Sequence, residues 1–402
     1  MLRRVIAAAG IFVTAVIGVV LAGWWEHRVP LSLPPLSGPF PVGRAAFDWV
    51  DESRVDKLAA AKGATRELTV WIWYPASIDT SSTRSEYLPA PWRAALARRQ
   101  SPVLSLLLHD ASAVNPRSFD DAKVAPAQRA FPVILMKPGI GALALDYTTL
   151  AEDLASDGYV VVASDSPYST FVVVFQDGRV AERRRAGNAG ESAPVAEQTK
   201  VANSILGTWV GDDRFVLDRL AQLNASGTFR ERLDLREVGA IGHSFGGATA
   251  AEFCREDSRC KAGIDIDGIP FGAVVHERLE RPFMFFLSDH SNEKRDPETP
   301  AIMGKFHDIY RRLPAGREMV TLRGSSHFSF SDMPFLFNHT LARVSGLLGS
   351  IEPTRALDAS DACIRTFFDV HLKGAPTSRL QELRTRYPEL VFSDAGAPFL
   401  GQ

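Results

Sequence analysis

Short apolar runs recur along the chain with helical patterns between most of them, and this alternation constrains the fold more than any other feature. The runs are Glu67–Tyr74 (ELTVWIWY), Phe131–Lys137 (FPVILMK), Tyr159–Ala163 (YVVVA), Val238–Ile241, Ala262–Ile266, Pro282–Leu287 and Glu318–Leu322. Helical patterns include Trp92–Arg99, Tyr147–Ser156 and Thr208–Leu223. Parallel strands buried on both faces read as continuous apolar runs and need crossover helices to connect them. The expected class is therefore α/β, with a mostly parallel central sheet flanked by helices. The 402 residues permit two domains, but one α/β core with appendages fits as well. With 45 Lys plus Arg against 47 Asp plus Glu, the formal charge of -2 supplies no positive field for a phosphate backbone. Nucleic acid is therefore not an expected partner.

At the N-terminus, Arg3 and Arg4 precede an uncharged apolar run from Val5 to Trp25. As a helix that run would span about 30 Å, the thickness of a bilayer's hydrocarbon core. Basic residues ahead of such a run keep its start in the cytoplasm, and Trp24 and Trp25 suit the far interface. Residues 1–28 are accordingly expected to be a membrane-spanning signal anchor with the body exported to the periplasmic or extracellular side. The alternative is secretion after signal cleavage, for which Leu21-Ala22-Gly23 is a fair site. Residues 29–64 then read as a Pro-rich spacer and lead-in, and 65–402 as the catalytic body. In an oxidising compartment Cys254 and Cys260 can pair across a short loop or stay as free buried thiols, and Cys363 is left over in either case.

The most specific chemical signal is Gly242-His243-Ser244-Phe245-Gly246-Gly247, which follows the run Val238–Ile241 and precedes the small-residue helix Ala248-Thr249-Ala250-Ala251. A turn from strand straight into helix forces its serine into strained backbone angles. Glycine on either side lets the two elements approach. The bland alternative is a Gly-rich turn that serves packing alone. A serine hydroxyl is a poor nucleophile near neutral pH and needs an imidazole to take its proton. Among downstream histidines, His307 (KFHDIYRRL) and His371 (FFDVHLKG) sit in amphipathic helical patterns. His276, His290 and His339 show no strand ending just before them. His327 follows the run Glu318–Leu322 and the turn Arg323-Gly324-Ser325-Ser326, which places it at the sheet edge where Ser244 stands. The third member must be a carboxylate that orients the imidazole. Asp265, Asp267 and Asp289 all end strands in range, and the pattern alone leaves them open. An oxyanion hole needs two backbone N–H groups. Phe245, after the serine, offers one. Ile140, in the glycine-bracketed loop Pro138-Gly139-Ile140-Gly141-Ala142, offers the other.

Several segments stand in order along the chain: Pro41-Val42-Gly43-Arg44; Trp49-Val50-Asp51-Glu52-Ser53-Arg54; Arg66-Glu67-Leu68 with Ile72-Trp73-Tyr74-Pro75; Phe131-Pro132-Val133 leading to Gly139-Ile140-Gly141-Ala142; Asp213 to Leu220; the Ser244 turn; and Arg323-Gly324-Ser325 ahead of His327. Together they resemble the plasma-type platelet-activating factor acetylhydrolases. The sequence departs from that family at Pro138, where a histidine usually stands, and at Gly268, where an aromatic usually follows the acid. The resemblance implies an α/β-hydrolase fold and a serine esterase that needs no metal or cofactor. It also implies an acid after the strand that follows the nucleophile helix, at Asp267 rather than Asp289. The implied substrate is a small-molecule or lipid ester with a short or oxidised acyl chain. A general carboxylesterase, a polyester or lactone hydrolase, and a catalytically silent binding protein are the alternatives. Between Thr170 and Ser204 an apolar stretch, an Asp177-Gly178 turn and the run Glu182-Arg183-Arg184-Arg185 are expected to form a hairpin over the pocket or against lipid, or else a solvated excursion.

Overall fold

The computed structural model describes residues 24–99, 108–188, 195–290, 299–337 and 348–393, together with 14 and 18. Nine strands form its frame: β1 (Val42–Val55), β2 (Thr65–Ser77), β3 (Phe131–Lys137), β4 (Val160–Asp165), β5 (Leu233–His243), β6 (Cys260–Ile266), β7 (Phe283–Leu287), β8 (Glu318–Leu322) and β9 (Leu390–Phe392). They lie in the order β9-β8-β7-β6-β5-β3-β4-β2-β1. From β4 across to β8 every neighbouring pair is parallel. β2 runs antiparallel to β4 and to β1, and β9 runs antiparallel to β8. The sheet is therefore mixed, with the expected parallel order confined to its centre. The strand predicted at Glu67–Tyr74 lies inside β2.

β1 lies in the stretch expected to be spacer and lead-in, so the sheet begins well before residue 65. The reason it was hidden is local. Gly43 and two alanines replace the usual bulky residues, and Gly43 sits against the Tyr74 ring, where a Cβ would come within 2.4 Å. Arg44 is buried there and pairs with Asp120, so a charge interrupts the apolar pattern.

Helices cover both faces: α1 (Ala90–Ala97), α2 (Thr148–Ser156), α3 (Val195–Ala225), α4 (Phe245–Glu256), α5 (Thr299–Arg312) and α6 (Pro353–Leu372). Alternation along each central strand feeds two cores. Ile134, Met136, Val161 and Ile264 pack with Leu150, Leu154, Phe367 and Phe368 on one side. Val133, Leu135, Val160 and Val162 pack with Trp209, Phe253 and Phe306 on the other. Each fully buried aliphatic or aromatic side chain contributes about 1.5–3 kcal/mol by leaving water, and this double core holds the carboxyl ends of the parallel strands rigid.

α3 begins at Val195, so part of the stretch after Thr170 belongs to a long covering helix. The hairpin itself is present: Val172–Val174 pairs antiparallel with Val180–Glu182 around Gly178, whose φ of 85° suits glycine. Val172 and Val173 are fully buried, so the hairpin is built into the body and is not a solvated excursion. Cys254 and Cys260 form a disulfide, and Cys363 is free and buried. The expected membrane span lies almost wholly outside the described residues, as does His339. Among the described residues no helix is long and apolar enough to cross a membrane.

Candidate active site

β5 runs into α4 with only Ser244 between them, and Ser244 takes φ 56° and ψ −124°. A non-glycine residue in this region costs about 1–3 kcal/mol, which persists only where the surroundings impose it. Here they do. A Cβ at Gly242 would meet the Gly246 carbonyl oxygen at 2.0 Å, and one at Gly246 would meet the Lys137 carbonyl oxygen at 2.2 Å. Ser244 N–H donates to the Ile266 carbonyl at 2.8 Å, which locks the bend onto the end of β6. The serine is thus held at the carboxyl edge of the sheet, between β3 and β6.

At the ends of β6 and β7, the three candidate carboxylates have three different fates. Asp267, also at positive φ (52°), is buried and accepts four hydrogen bonds. His327 Nδ1 lies 2.7 Å from its Oδ2, and Ser288 Oγ donates to the same oxygen at 2.8 Å. Its Oδ1 receives Ser288 N–H at 2.9 Å and His290 Nε2 at 2.9 Å. Burial alone would raise this carboxyl, but the two histidines outweigh it and hold the group well below the ordinary carboxylate range. Asp265 is buried with a single donor, Gly268 N–H at 2.8 Å, while its other oxygen has no partner. Burial drives it far upward, so it is a neutral acid that shapes the turn carrying Asp267. Asp289 points away and accepts Gly324 N–H at 2.7 Å, fixing the loop that leads to His327.

His327 opens a short 3-10 turn, His327–Phe330, beyond the end of β8. His307 lies on α5, His371 on α6, and His276 closes the turn Ala273–Val275. His290 is different: it follows the end of β7 and shares Asp267 with His327. Sequence reasoning passed over it, although the apolar run ending at Leu287 was the available signal.

A second omission is His243, the residue inside the glycine-bounded turn that precedes the serine. Its Nδ1 lies 2.7 Å from Tyr147 Oη and its Nε2 lies 2.8 Å from the His327 carbonyl oxygen. Burial, reinforced by the neighbouring His327, lowers its pKa to about 3, so the ring is neutral. Nothing in the spacing of Tyr147 and His243 announced that they meet, because they come from different layers of the fold.

The loop after β3 completes the site. A Cβ at Gly139 would stand 3.2 Å from Ser244 Cβ, so this loop passes directly over the serine. Gly139 N–H donates to Tyr147 Oη at 3.3 Å, Gly141 N–H to the Ser169 carbonyl at 3.1 Å, and Ala142 N–H to the Gly139 carbonyl at 3.1 Å. Ile140 N–H takes part in none of these bonds. Phe245 N–H, in the first turn of α4, has no intrahelical acceptor, as is general for that position. The Thr170–Arg184 hairpin backs the loop, since Phe171 N–H donates to the Gly141 carbonyl at 3.0 Å. Beyond the loop lies a mainly apolar cavity of about 500 Å³, lined by Gly141, Leu143, Phe171, Met333 and Leu336 among others. Among the described residues no group of three or more His, Cys, Asp or Glu side chains is placed to hold a metal ion.

The chain matches the family model for platelet-activating factor acetylhydrolase, isoform II, over residues 28–185 and 193–376. It is 25% identical to a probable 1-alkyl-2-acetylglycerophosphocholine esterase of Arthroderma benhamiae, an alignment covering 94% of this chain and 98% of the relative. It is 26% identical to the platelet-activating factor acetylhydrolase of Canis lupus familiaris, over 72% of this chain and 65% of that protein. Among solved structures, a ferulic acid esterase from Streptomyces cinnamoneus superposes with a TM-score of 0.75 at 27% identity, covering 91% of this chain and all of that one.

Proposed function

The chain belongs to the platelet-activating factor acetylhydrolase isoform II family and is a serine-hydrolase-type esterase, and from that premise we propose that it cleaves short or oxidised acyl esters of phospholipid-like substrates through Ser244, His327 and Asp267. The bond from His327 Nδ1 to Asp267 carries this reading. A carboxylate on Nδ1–H leaves Nε2 unprotonated, the tautomer that can take a proton from a hydroxyl. Ser244 Oγ attacks the ester carbonyl as His327 Nε2 accepts its proton, and the N–H groups of Ile140 and Phe245 receive the developing oxyanion. The imidazolium, stabilised by ionised Asp267, then protonates the departing alkoxide. Water, deprotonated by the same imidazole, attacks the acyl-enzyme and releases the acid and Ser244.

The cavity beside the oxyanion loop supports an ester with an apolar portion, since its size lies within the range of small-ligand sites. The fold is read as an α/β-hydrolase, and the run Val5–Trp25 as an anchor or export signal that delivers the body across a membrane. The disulfide between Cys254 and Cys260 fits an oxidising destination. A second reading, a carboxylesterase for other esters, draws on the likeness to the ferulic acid esterase.

Ser244→Ala should lower kcat by about 10⁴-fold or more and abolish labelling by a fluorophosphonate. Unchanged turnover in that variant would refute the mechanism. Acetyl, short-chain, long-chain and feruloyl esters compared on the wild-type protein separate the two substrate readings.

A further inference from the structure

A continuous set of polar contacts runs behind Ser244, and its protons can be assigned one by one. The His327 carbonyl oxygen can only accept, so His243 Nε2, 2.8 Å away, carries its hydrogen. A neutral ring protonated there has a bare Nδ1, so the Tyr147 hydroxyl at 2.7 Å must donate to it. With that hydrogen committed, the Tyr147 oxygen is left as acceptor, and the Gly139 amide fills the role at 3.3 Å. The order is therefore Gly139 N–H to Tyr147 oxygen, Tyr147 O–H to His243 Nδ1, and His243 Nε2–H to the His327 carbonyl. Only one tautomer of His243 is compatible with all three bonds. Burial keeps the ring from taking a second proton near neutrality, with its pKa lowered to about 3.

The two ends of this chain are the two loops that must flank the serine. Gly139 immediately precedes Ile140, and Gly141 on the other side is tied to Ser169. The Ile140 amide is thus fixed from both neighbours. At the far end, the main chain of His327 is held through its carbonyl while its side chain is held by Asp267. His243 lies between them, its ring 4.4 Å from the His327 ring by centroids and 5.7 Å from that of Tyr147.

Resting on the serine-esterase reading above, we propose that Tyr147 and His243 are positioning residues that set the span between the Ile140 amide and the His327 imidazole on either side of Ser244. Neither touches the reacting atoms. Their effect is on geometry, and errors near 1 Å in such a span cost about 100-fold in rate. The contribution should fall on kcat, because proton transfer and oxyanion contact tighten in the transition state, whereas neither Tyr147 nor His243 lines the apolar cavity.

The side-chain chemistry allows the links to be cut separately. Tyr147→Phe keeps the ring and removes the oxygen. His243→Gln retains an N–H donor at the position of Nε2 for the His327 carbonyl but has no acceptor for Tyr147. His243→Asn keeps an acceptor for Tyr147 and loses the donor to His327. Rates are measured per active site titrated with a fluorophosphonate, so that unfolded protein is not counted. Tyr147→Phe and His243→Gln should each lower kcat by about 10- to 100-fold with KM within about threefold. Because both cut the same link, the double variant should be no slower than the worse single one. His243→Asn, which frees the loop of the base itself, should be slower than His243→Gln. The proposal is overturned if Tyr147→Phe and His243→Gln keep wild-type kcat per titrated site, or if their losses multiply in the double variant. Either result leaves the role of Ser244 untouched, since that role is tested by Ser244→Ala and by labelling alone.

Discussion

Buried carboxylates occupy both flanks of the site, and the two flanks treat them in opposite ways. At the ends of β6 and β7, Asp267 accepts four hydrogen bonds, two of them from histidines, and is held ionised far below its usual range. Behind the loop that follows β3, Asp165 accepts Ala144 N–H and Trp71 Nε1–H, and Asp332 accepts Thr149 N–H and the Tyr87 hydroxyl. Burial dominates both of these and raises them to about 7, with the two donors offsetting only part of the cost. Burial is near complete in every case, so depth does not decide the charge. The number of donors, and whether an imidazole that can become cationic is among them, does. The flank that carries two histidines keeps its anion; the flank whose donors are amides, an indole and a phenol lets its acids go neutral.

The strongest challenge to this contrast is Asp267→Asn, which preserves shape but removes the anion and favours the wrong His327 tautomer. kcat should fall by about 10³- to 10⁴-fold, measured by steady-state hydrolysis of a short acyl ester. A loss below tenfold would mean that the carboxylate does not orient His327. Ser288→Ala removes one of the four donors and leaves the Ser288 amide and both histidines in place. About a tenfold fall in kcat is expected, at the scale of one hydrogen bond to a charged group. Equality with Asp267→Asn would show that the hydroxyl, not the donor set as a whole, sustains the charge.

On the opposite flank, Asp332→Asn should leave kcat within about threefold and change stability in a pH-dependent way. A carboxyl raised in the folded state holds a proton that the unfolded chain releases, so wild-type stability falls as pH rises from about 4 to about 7. The asparagine has no such penalty, and its amide can donate to Tyr87 once that hydroxyl turns. Its Tm should therefore gain on the wild type by a few degrees more at pH 8 than at pH 5, read by calorimetry. An equal difference at the two pH values would break the contrast between the flanks.

The parts of this site that were legible in the sequence are those where the backbone dictates residue type. Gly242, Gly246 and the strained Ser244 are readable because no side chain fits where the Gly246 and Lys137 carbonyls stand. Phe131–Lys137 was readable because burial on both faces demands a nearly continuous apolar run, and Glu318–Leu322 because its buried Met319, Val320 and Leu322 still stand out beside half-buried Glu318 and Thr321. The Asp267 assignment came through family resemblance, since Asp265, Asp267 and Asp289 have equal standing in the local pattern and differ only in what faces them. Tyr147 escaped notice and His290 was set aside for the same reason: each is partnered across more than twenty residues. β1 escaped because a buried arginine, Arg44, and small residues interrupt its alternation.

The crosslink from Cys254 to Cys260 joins the far end of the helix that starts at Ser244 to the near end of the strand that leads to Asp267. So short a ring restricts the unfolded chain by only about 2 kcal/mol. Its placement matters more than that energy, because Ser244 and Asp267 ride on two elements that cannot part while the sulfurs stay joined. Bonds of this kind persist where thiols are oxidised and are lost where they are kept reduced. The molecule therefore bears a covalent stamp of the milieu in which it matured, one that intact-mass measurement with and without reductant can read before any substrate is found.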